Sequence, residues 1–246
     1  MFAGAKQLFG GEIFLQQQIP EGGLEPGAIG MDKFGDLYRY GLVGGSNITA
    51  GTIQAAPTQK TNHHNCNAAA AVTANGKTKK VTLTLGATAA VAGEYNFGYL
   101  VANDVAPEGV THRISSHPAA DSAASLEVTV AHPFVEDIST SSQFTLVHNN
   151  WYKVVVGSAV TIRAAGVPMI DMTAAYWGWF KTRGVASVLI GSAATLGADL
   201  IVSAATGGAV TDRTDALGAS AEPVVAVADI VVGVATEFNP VRLVID

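Results

Sequence analysis

The C-terminal part of the 246-residue chain reads GVP at 166–168, AAYWGWFKTRGVASVLI at 174–190, GADLIV at 197–202, PVVAV at 223–227 and PVRLVID at 240–246. Each segment is mainly apolar, and turn-forming or polar residues separate one from the next. Short runs of this kind, bounded by glycine and proline, are typical of β-strands. The sequence therefore predicts a small C-terminal β-domain over residues 158–246.

The region before this block alternates between apolar and polar residues in several places. Residues 81–85 and 126–130 both follow a period of two, which is typical of half-buried antiparallel strands. Two further candidate strands occupy 93–101 and 108–114, with a turn signal at 103–107. Strands at this spacing favour a sandwich or barrel over βαβ units. We predict an antiparallel sandwich or barrel-like middle domain over residues 34–157.

The first 33 residues contain several glycines and prolines and few periodic apolar positions. This composition predicts an extended N-terminal arm over residues 1–33, of the kind that usually lies on a neighbour or stays disordered. The complete chain is accordingly predicted to be all-β, with an arm, a middle domain and a small C-terminal domain.

The composition narrows the class of partner. Charged residues make up 14% of the chain and hydrophobic residues 48%, whereas about 25% is the usual charged fraction. This favours a compact β-protein coated by small residues or a subunit that hides surface in an assembly. The net charge is −6 and no basic stripe is present, so we expect no nucleic-acid partner. No apolar run is long enough for a membrane span, so no membrane partner is expected either.

Few residues suggest chemistry. His63, His64 and Cys66 are potential zinc ligands, but neighbouring strand residues point to opposite faces and no further ligands complete the set. The single cysteine cannot form an intrachain disulfide, which fits synthesis in a reducing cytoplasm. No phosphate-binding glycine motif and no nucleophile elbow appear. We therefore predict no metal, no cofactor and no catalytic residues. If the protein were an enzyme, the best candidates would be His112 or His117 with Asp104 or Asp121.

Aromatic side chains are the strongest local feature. In a strand over 176–180, Trp177 and Trp179 share one face, while Tyr176 and Phe180 share the other. One interpretation is burial on both sides in a sandwich; the alternatives are a subunit contact or stacking on a sugar ring. Interface residues are predicted from the aromatic residues of the arm and the strands: Phe9, Phe14, Tyr38, Tyr40, Trp151, Trp177 and Trp179.

The order of the C-terminal segments resembles the small β-domain of tailed-phage head decoration (cement) proteins. The matching features are the Gly-Trp hairpin at 178–184, the start of the GADL strand, the PVVA strand and the terminal apolar strand. The region from residue 34 onward also resembles the larger, two-domain decoration proteins of marine phages. That likeness lies in FGDLYRY at 34–40, VTLTLGATA at 81–89, GYLVAND at 98–104 and RISSHPAA at 113–120.

The resemblance implies a structural virion protein without enzymatic activity, located on the outside of the capsid after synthesis in the host cytoplasm. It implies binding to the major capsid protein at capsomer junctions, as a homotrimer, to stabilise the shell. A phage tail-tube, baseplate or receptor-binding protein is the main alternative, and a carbohydrate-binding β-module is a further one.

Overall fold

The computed structural model of the protein describes residues 5–158, 162–213, 223–231 and 234–246. It consists mainly of strands, together with 3-10 helices at Glu12–Phe14 and Thr61–His63. In chain order the strands are β1 (Lys6–Gln7), β2 (Gln16–Gln17), β3 (Ile29–Met31), β4 (Leu37–Val43), β5 (Gln54–Ala55), β6 (Cys66–Asn67), β7 (Lys80–Thr84), β8 (Tyr99–Asp104), β9 (Thr111–Ser116), β10 (Ser125–Val130), β11 (Gln143–Val147), β12 (Tyr152–Val156), β13 (Ala164–Pro168), β14 (Trp177–Leu189), β15 (Asp199–Val202), β16 (Val210–Asp212), β17 (Ala226–Ala228) and β18 (Phe238–Val244). The predicted all-β class is confirmed.

The chain forms two compact units. Unit 1 combines Met1–Pro57 with Asn150–Asp246, and unit 2 is Thr58–Asn149. This division differs from the predicted boundaries at 33/34 and 157/158. Strand β4 was expected in the middle domain but belongs to unit 1, because it pairs antiparallel along β14. Strand β12 belongs there too, since it pairs with β4 and β5.

The first half of unit 1 is a closed circuit of strands. The order is β4-β12-β5-β13-β14, and β14 pairs back with β4. The β4–β12 pair is parallel and the other pairs in this circuit are antiparallel. A compact core packs together here, formed by Val43, Ile48, Val154, Ala165, Met172 and Phe180.

Strand β14 is thirteen residues long and continues into the second half of unit 1. Its C-terminal part pairs with β18, and the order proceeds through β17 and β15 to β16. A bridge between Ile190 and Val210 links the end of β14 to β16, so this half is also nearly closed. Alanine and branched aliphatic side chains from these strands fill its core, including Val188, Leu200 and Val241.

The N-terminal segment packs onto its own unit. Strand β1 pairs parallel with β3, β3 pairs with β4, and β2 pairs with the start of β14. Leu8 is buried in a cluster with Tyr38, Tyr40, Trp177 and Trp179. The described part of the predicted arm, from residue 5, therefore covers the face of the β4–β14 sheet, because that face is aromatic and otherwise exposed to water.

Unit 2 is a six-stranded antiparallel sheet with the order β6-β11-β8-β9-β10-β7. A bridge between Ala68 and Leu83 brings its two ends together. The predicted alternation holds in β7 and β10, where Val81, Leu83, Leu126 and Val128 are all buried. The apolar face of each strand therefore points into one common core.

One strand of unit 2 is shorter than predicted. The segment 93–101 was expected to be a strand, but β8 begins at Tyr99. The residues before it form turns, in which Gly98 donates its N–H to the Tyr95 carbonyl at 2.9 Å and Phe97 adopts a positive φ of 61°. These turns place the Tyr95 side chain in the core, where it is fully buried.

Candidate interaction surface

Three phenylalanines of unit 1 are exposed to solvent near one another. The exposed fractions are 72% for Phe9, 49% for Phe14 and 80% for Phe34. They line one groove, which we call the aromatic patch, together with Leu8, Gly10, Ile13, Asp32 and Lys33. Large apolar side chains are usually buried, and several exposed ones together often mark a binding surface.

The first side of the aromatic patch is held by a short 3-10 helix. The Phe14 N–H donates to the Gly11 carbonyl at 2.9 Å, and the Phe9 N–H donates to Glu12 Oε2 at 2.8 Å. The Lys6 ammonium donates to the other Glu12 oxygen at 2.9 Å. The bond from Lys6, followed by the bond from Phe9, holds the pKa of the Glu12 carboxyl below its usual value. These contacts fix the backbone that carries Phe9 and Phe14.

The second side is the turn that carries Phe34. Asp32 Oδ1 accepts the N–H of Phe34 at 2.9 Å and the N–H of Asp36 at 3.0 Å. Gly35 adopts a φ of +89°, a conformation that favours glycine. The Lys33 ammonium lies 4.9 Å from the centre of the Phe34 ring. The turn is therefore fixed from within, although its aromatic side chain is exposed.

A buried residue connects the two sides. Leu8 is 3% exposed, and its N–H donates to the Met31 carbonyl at 2.9 Å. It packs beside Gly30 and Trp179, where a Cβ on Gly30 would lie 2.6 Å from Leu8 Cδ1 and 2.7 Å from Trp179 Cζ3. Leu8 thus anchors the segment that carries Phe9 against the sheet.

The structure does not bring the seven predicted interface residues together. Phe9 and Phe14 are on the surface, but four others lie in the core instead, with exposed fractions of 2% for Tyr38, 0% for Tyr40, 8% for Trp177 and 3% for Trp179. They are buried because the N-terminal segment covers their face of the sheet.

The same-face prediction for the indoles is confirmed. The Tyr40 ring lies 5.6 Å from Trp177 and 5.1 Å from Trp179, whereas Phe180 belongs to the core on the other side. Trp151 is half-buried and its indole N–H donates to the Ala165 carbonyl at 2.9 Å. The two indoles that suggested sugar stacking therefore present no open ring face for a sugar.

The residues that suggested a metal serve other roles. The His63 ring is buried between Tyr95 and the Thr88 carbonyl, whereas His64 is exposed. Burial raises the pKa of the Cys66 thiol, which disfavours the thiolate that would bind zinc. Within the described residues, no three His, Cys, Asp or Glu side chains are grouped as metal ligands would be.

The hydrogen bonds and ring contacts of the candidate catalytic residues are made with other groups. Both ring nitrogens of His117 bond to backbone groups, of Tyr95 and Pro118. His112 is buried against Phe134, with ring centres 4.7 Å apart, and burial lowers its pKa, with a smaller effect from His132. The carboxylate of Asp104 accepts the N–H of the next residue. Neither histidine is bonded to Asp104 or Asp121 in these contacts.

Of the three exposed phenylalanines in the aromatic patch, Phe34 was not among the predicted interface residues. It lies between Asp32-Lys33 and Gly35-Asp36, which are residues typical of a solvated turn. An aromatic side chain in such a turn is the signal that could have identified it.

The described part of the chain contains no helix with the length and apolar character that a membrane crossing requires.

Comparison with known proteins gives no relative: no family model, no curated protein and no solved structure matches this chain.

Proposed function

We propose that this protein is a structural component of a tailed-phage head that decorates and stabilises the outside of the capsid. The aromatic patch is the observation that supports this most directly, because it provides an apolar contact surface on a stable β-unit. The major capsid protein is the proposed partner. The order of the strands in the C-terminal segments, which resembles that of head decoration proteins, motivates the choice of a capsid over other partners.

The energy available from the aromatic patch is sufficient for a specific contact. Full burial of one phenylalanine contributes about 1.5–3 kcal/mol. Phe9 and Phe34 are each more than two-thirds exposed, so a partner could bury most of each ring. Because the backbone on both sides is already fixed by hydrogen bonds, binding orders little additional chain.

The composition supports the same function. A charged fraction of 14% leaves few charges to desolvate at a contact. Binding at capsomer junctions, as a homotrimer, would repeat a modest contact, so that the combined affinity exceeds that of a single patch. The net charge of −6 suits the outside of a shell better than its DNA-lined inside.

The test is co-sedimentation of the purified protein with phage heads that lack it. Phe34→Ser is expected to bind about 10-fold or more weakly, since losing about 1.4 kcal/mol of apolar contact corresponds to that factor. Val135→Ser is the matched control, because Val135 is 74% exposed and lies in unit 2. Equal binding of the wild type and Phe34→Ser would remove the aromatic patch from the mechanism, and failure of the wild type to sediment with heads would contradict the proposed function.

A further inference from the structure

Unit 2 contains a buried tyrosine surrounded by imidazole rings. Tyr95 is fully buried, and its ring centre lies 5.6 Å from that of His63, 5.7 Å from that of His117 and 4.3 Å from that of His148. All three histidines are themselves at least nine-tenths buried. Histidine changes its charge near neutral pH, so a cluster of this kind responds to acid if its hydrogen bonds require the neutral rings.

The hydrogen bonds of His117 require the neutral ring. Its Nδ1 lies 2.8 Å from the Pro118 carbonyl, which can only accept, so Nδ1 carries the proton. Its Nε2 lies 2.9 Å from the backbone nitrogen of Tyr95, whose N–H can only donate. A second proton on Nε2 would place two donors against each other inside the protein and break this bond.

His63 is oriented in the same way. Its Nε2 lies 2.9 Å from the Thr88 carbonyl and therefore donates, which leaves Nδ1 to accept the hydroxyl proton of Tyr95 at 2.5 Å. Two neutral imidazoles thus accept both the backbone N–H and the side-chain O–H of a single buried residue.

The charged groups around the cluster do not remove this requirement. Glu94 lies 3.8 Å from His148 Nε2, so its carboxylate favours a charged His148 and opposes the effect of acid there. The Lys60 ammonium, 2.7 Å from Glu94, offsets part of that carboxylate's charge. The Cys66 thiol also faces Tyr95 and is kept neutral, because burial raises its pKa.

We propose that unit 2 is an acid-sensitive module, which opens when His117 takes up a proton while unit 1 remains folded. The unfolded segment takes up a proton at His117 below about pH 6.5 and the folded segment resists it, so folding is favoured above this pH and weakened below it. Each histidine held neutral multiplies the opening constant about 10-fold for each pH unit below about 6.5. His112, whose pKa is lowered by burial, acts in the same direction.

The positions of the cysteine and the tryptophans allow the opening of each unit to be measured separately. All six histidines and the single cysteine lie in unit 2, and all three tryptophans lie in unit 1. Opening of unit 2 can therefore be followed through the labelling rate of buried Cys66 with 4,4′-dithiodipyridine, a reagent that reacts at acidic pH. Tryptophan emission reports unit 1 in the same sample.

The experiment measures both signals on the full chain between pH 8 and pH 5. The opening constant of unit 2 is expected to rise at least 10-fold from pH 6.5 to pH 5.5, with unchanged tryptophan emission. His117→Gln keeps an acceptor for the Tyr95 N–H but cannot take up a proton. For each pH unit of acidification, the factor by which its opening constant rises should therefore be about 10 times smaller than in the wild type. His64→Gln is the control, because His64 is exposed.

A labelling rate that does not rise with acid beyond the reagent's own dependence would overturn the proposal, as would equal pH dependence in the wild type and His117→Gln. If His117→Gln does not fold, nitrogen-15 NMR of the wild type decides. The neutral ring with its proton on Nδ1 is expected for His117 at pH 7 and still at pH 5.5 in molecules that remain folded. A charged His117 ring in folded protein at pH 6 would contradict the mechanism.

Discussion

Leu8→Ala tests whether the N-terminal segment is an integral part of unit 1. Leu8 is 3% exposed and belongs to the cluster that contains Tyr40 and Trp179. Replacing a buried leucine by alanine usually costs about 2–5 kcal/mol, from lost transfer energy and the cavity that remains. We therefore expect Leu8→Ala to lower the free energy of unfolding by about 2–3 kcal/mol.

The assay is urea unfolding followed by tryptophan emission, which reports unit 1 because all three tryptophans lie there. Leu15→Ala is the matched control: the same substitution in the same segment, at a side chain that is 58% exposed. We expect it to change the free energy of unfolding by less than about 0.5 kcal/mol. Leu8→Ala should also weaken binding to phage heads, because Leu8 positions the backbone of Phe9.

Equal unfolding curves for Leu8→Ala and the wild type would show that the N-terminal segment is an independent arm and does not stabilise unit 1. The packing of the N-terminal segment on unit 1 also predicts the effect of removing residues 1–33. The truncated protein is expected to lose stability as well as head binding, because the deletion exposes Tyr40 and Trp179 and removes strand β3 from the edge of β4.

Two further predictions concern a partly buried ion pair and the buried thiol. The Lys181 ammonium is bonded to the Asp36 carboxylate and, at 2.6 Å, to the Val185 carbonyl; Lys181→Met should therefore cost about 2–4 kcal/mol in urea unfolding. Lys80→Met, at a surface pair with Glu127, should change the free energy of unfolding by less than about 1 kcal/mol, and equal effects of the two substitutions would contradict this account. Cys66 is 4% exposed, and burial raises the pKa of its thiol. At pH 8, native protein should therefore react with Ellman's reagent far more slowly than urea-unfolded protein. Equal rates would show that the thiol is accessible in the native protein.

The class of fold could be predicted from sequence because strand patterns are local. The alternation at 81–85 and 126–130 predicted β7 and β10, and the apolar C-terminal segments overlap β14, β15, β17 and β18. The alternation over 176–180 also predicted which aromatic side chains share a face. These predictions required only the period of two that a strand imposes on its side chains.

The division into units depended on contacts that sequence patterns do not show. Strand β4 pairs with β14, more than 130 positions along the chain, and nothing local to residues 37–43 indicates this partner. The burial of Tyr40 and Trp177 likewise depends on the N-terminal segment, in which Leu8 is one of few anchoring residues. Phe9 and Phe14, which line the aromatic patch, were among the predicted interface residues, whereas Phe34 comes beside them only through the turn that carries it.

The location proposed for this protein is the outside of a phage head. The most direct measurement is immunogold electron microscopy of intact phage particles purified from the source of this sequence, with antibody raised against the purified protein. Regular labelling of heads is the predicted result. Label confined to tails, or no label on intact particles, would contradict the proposal.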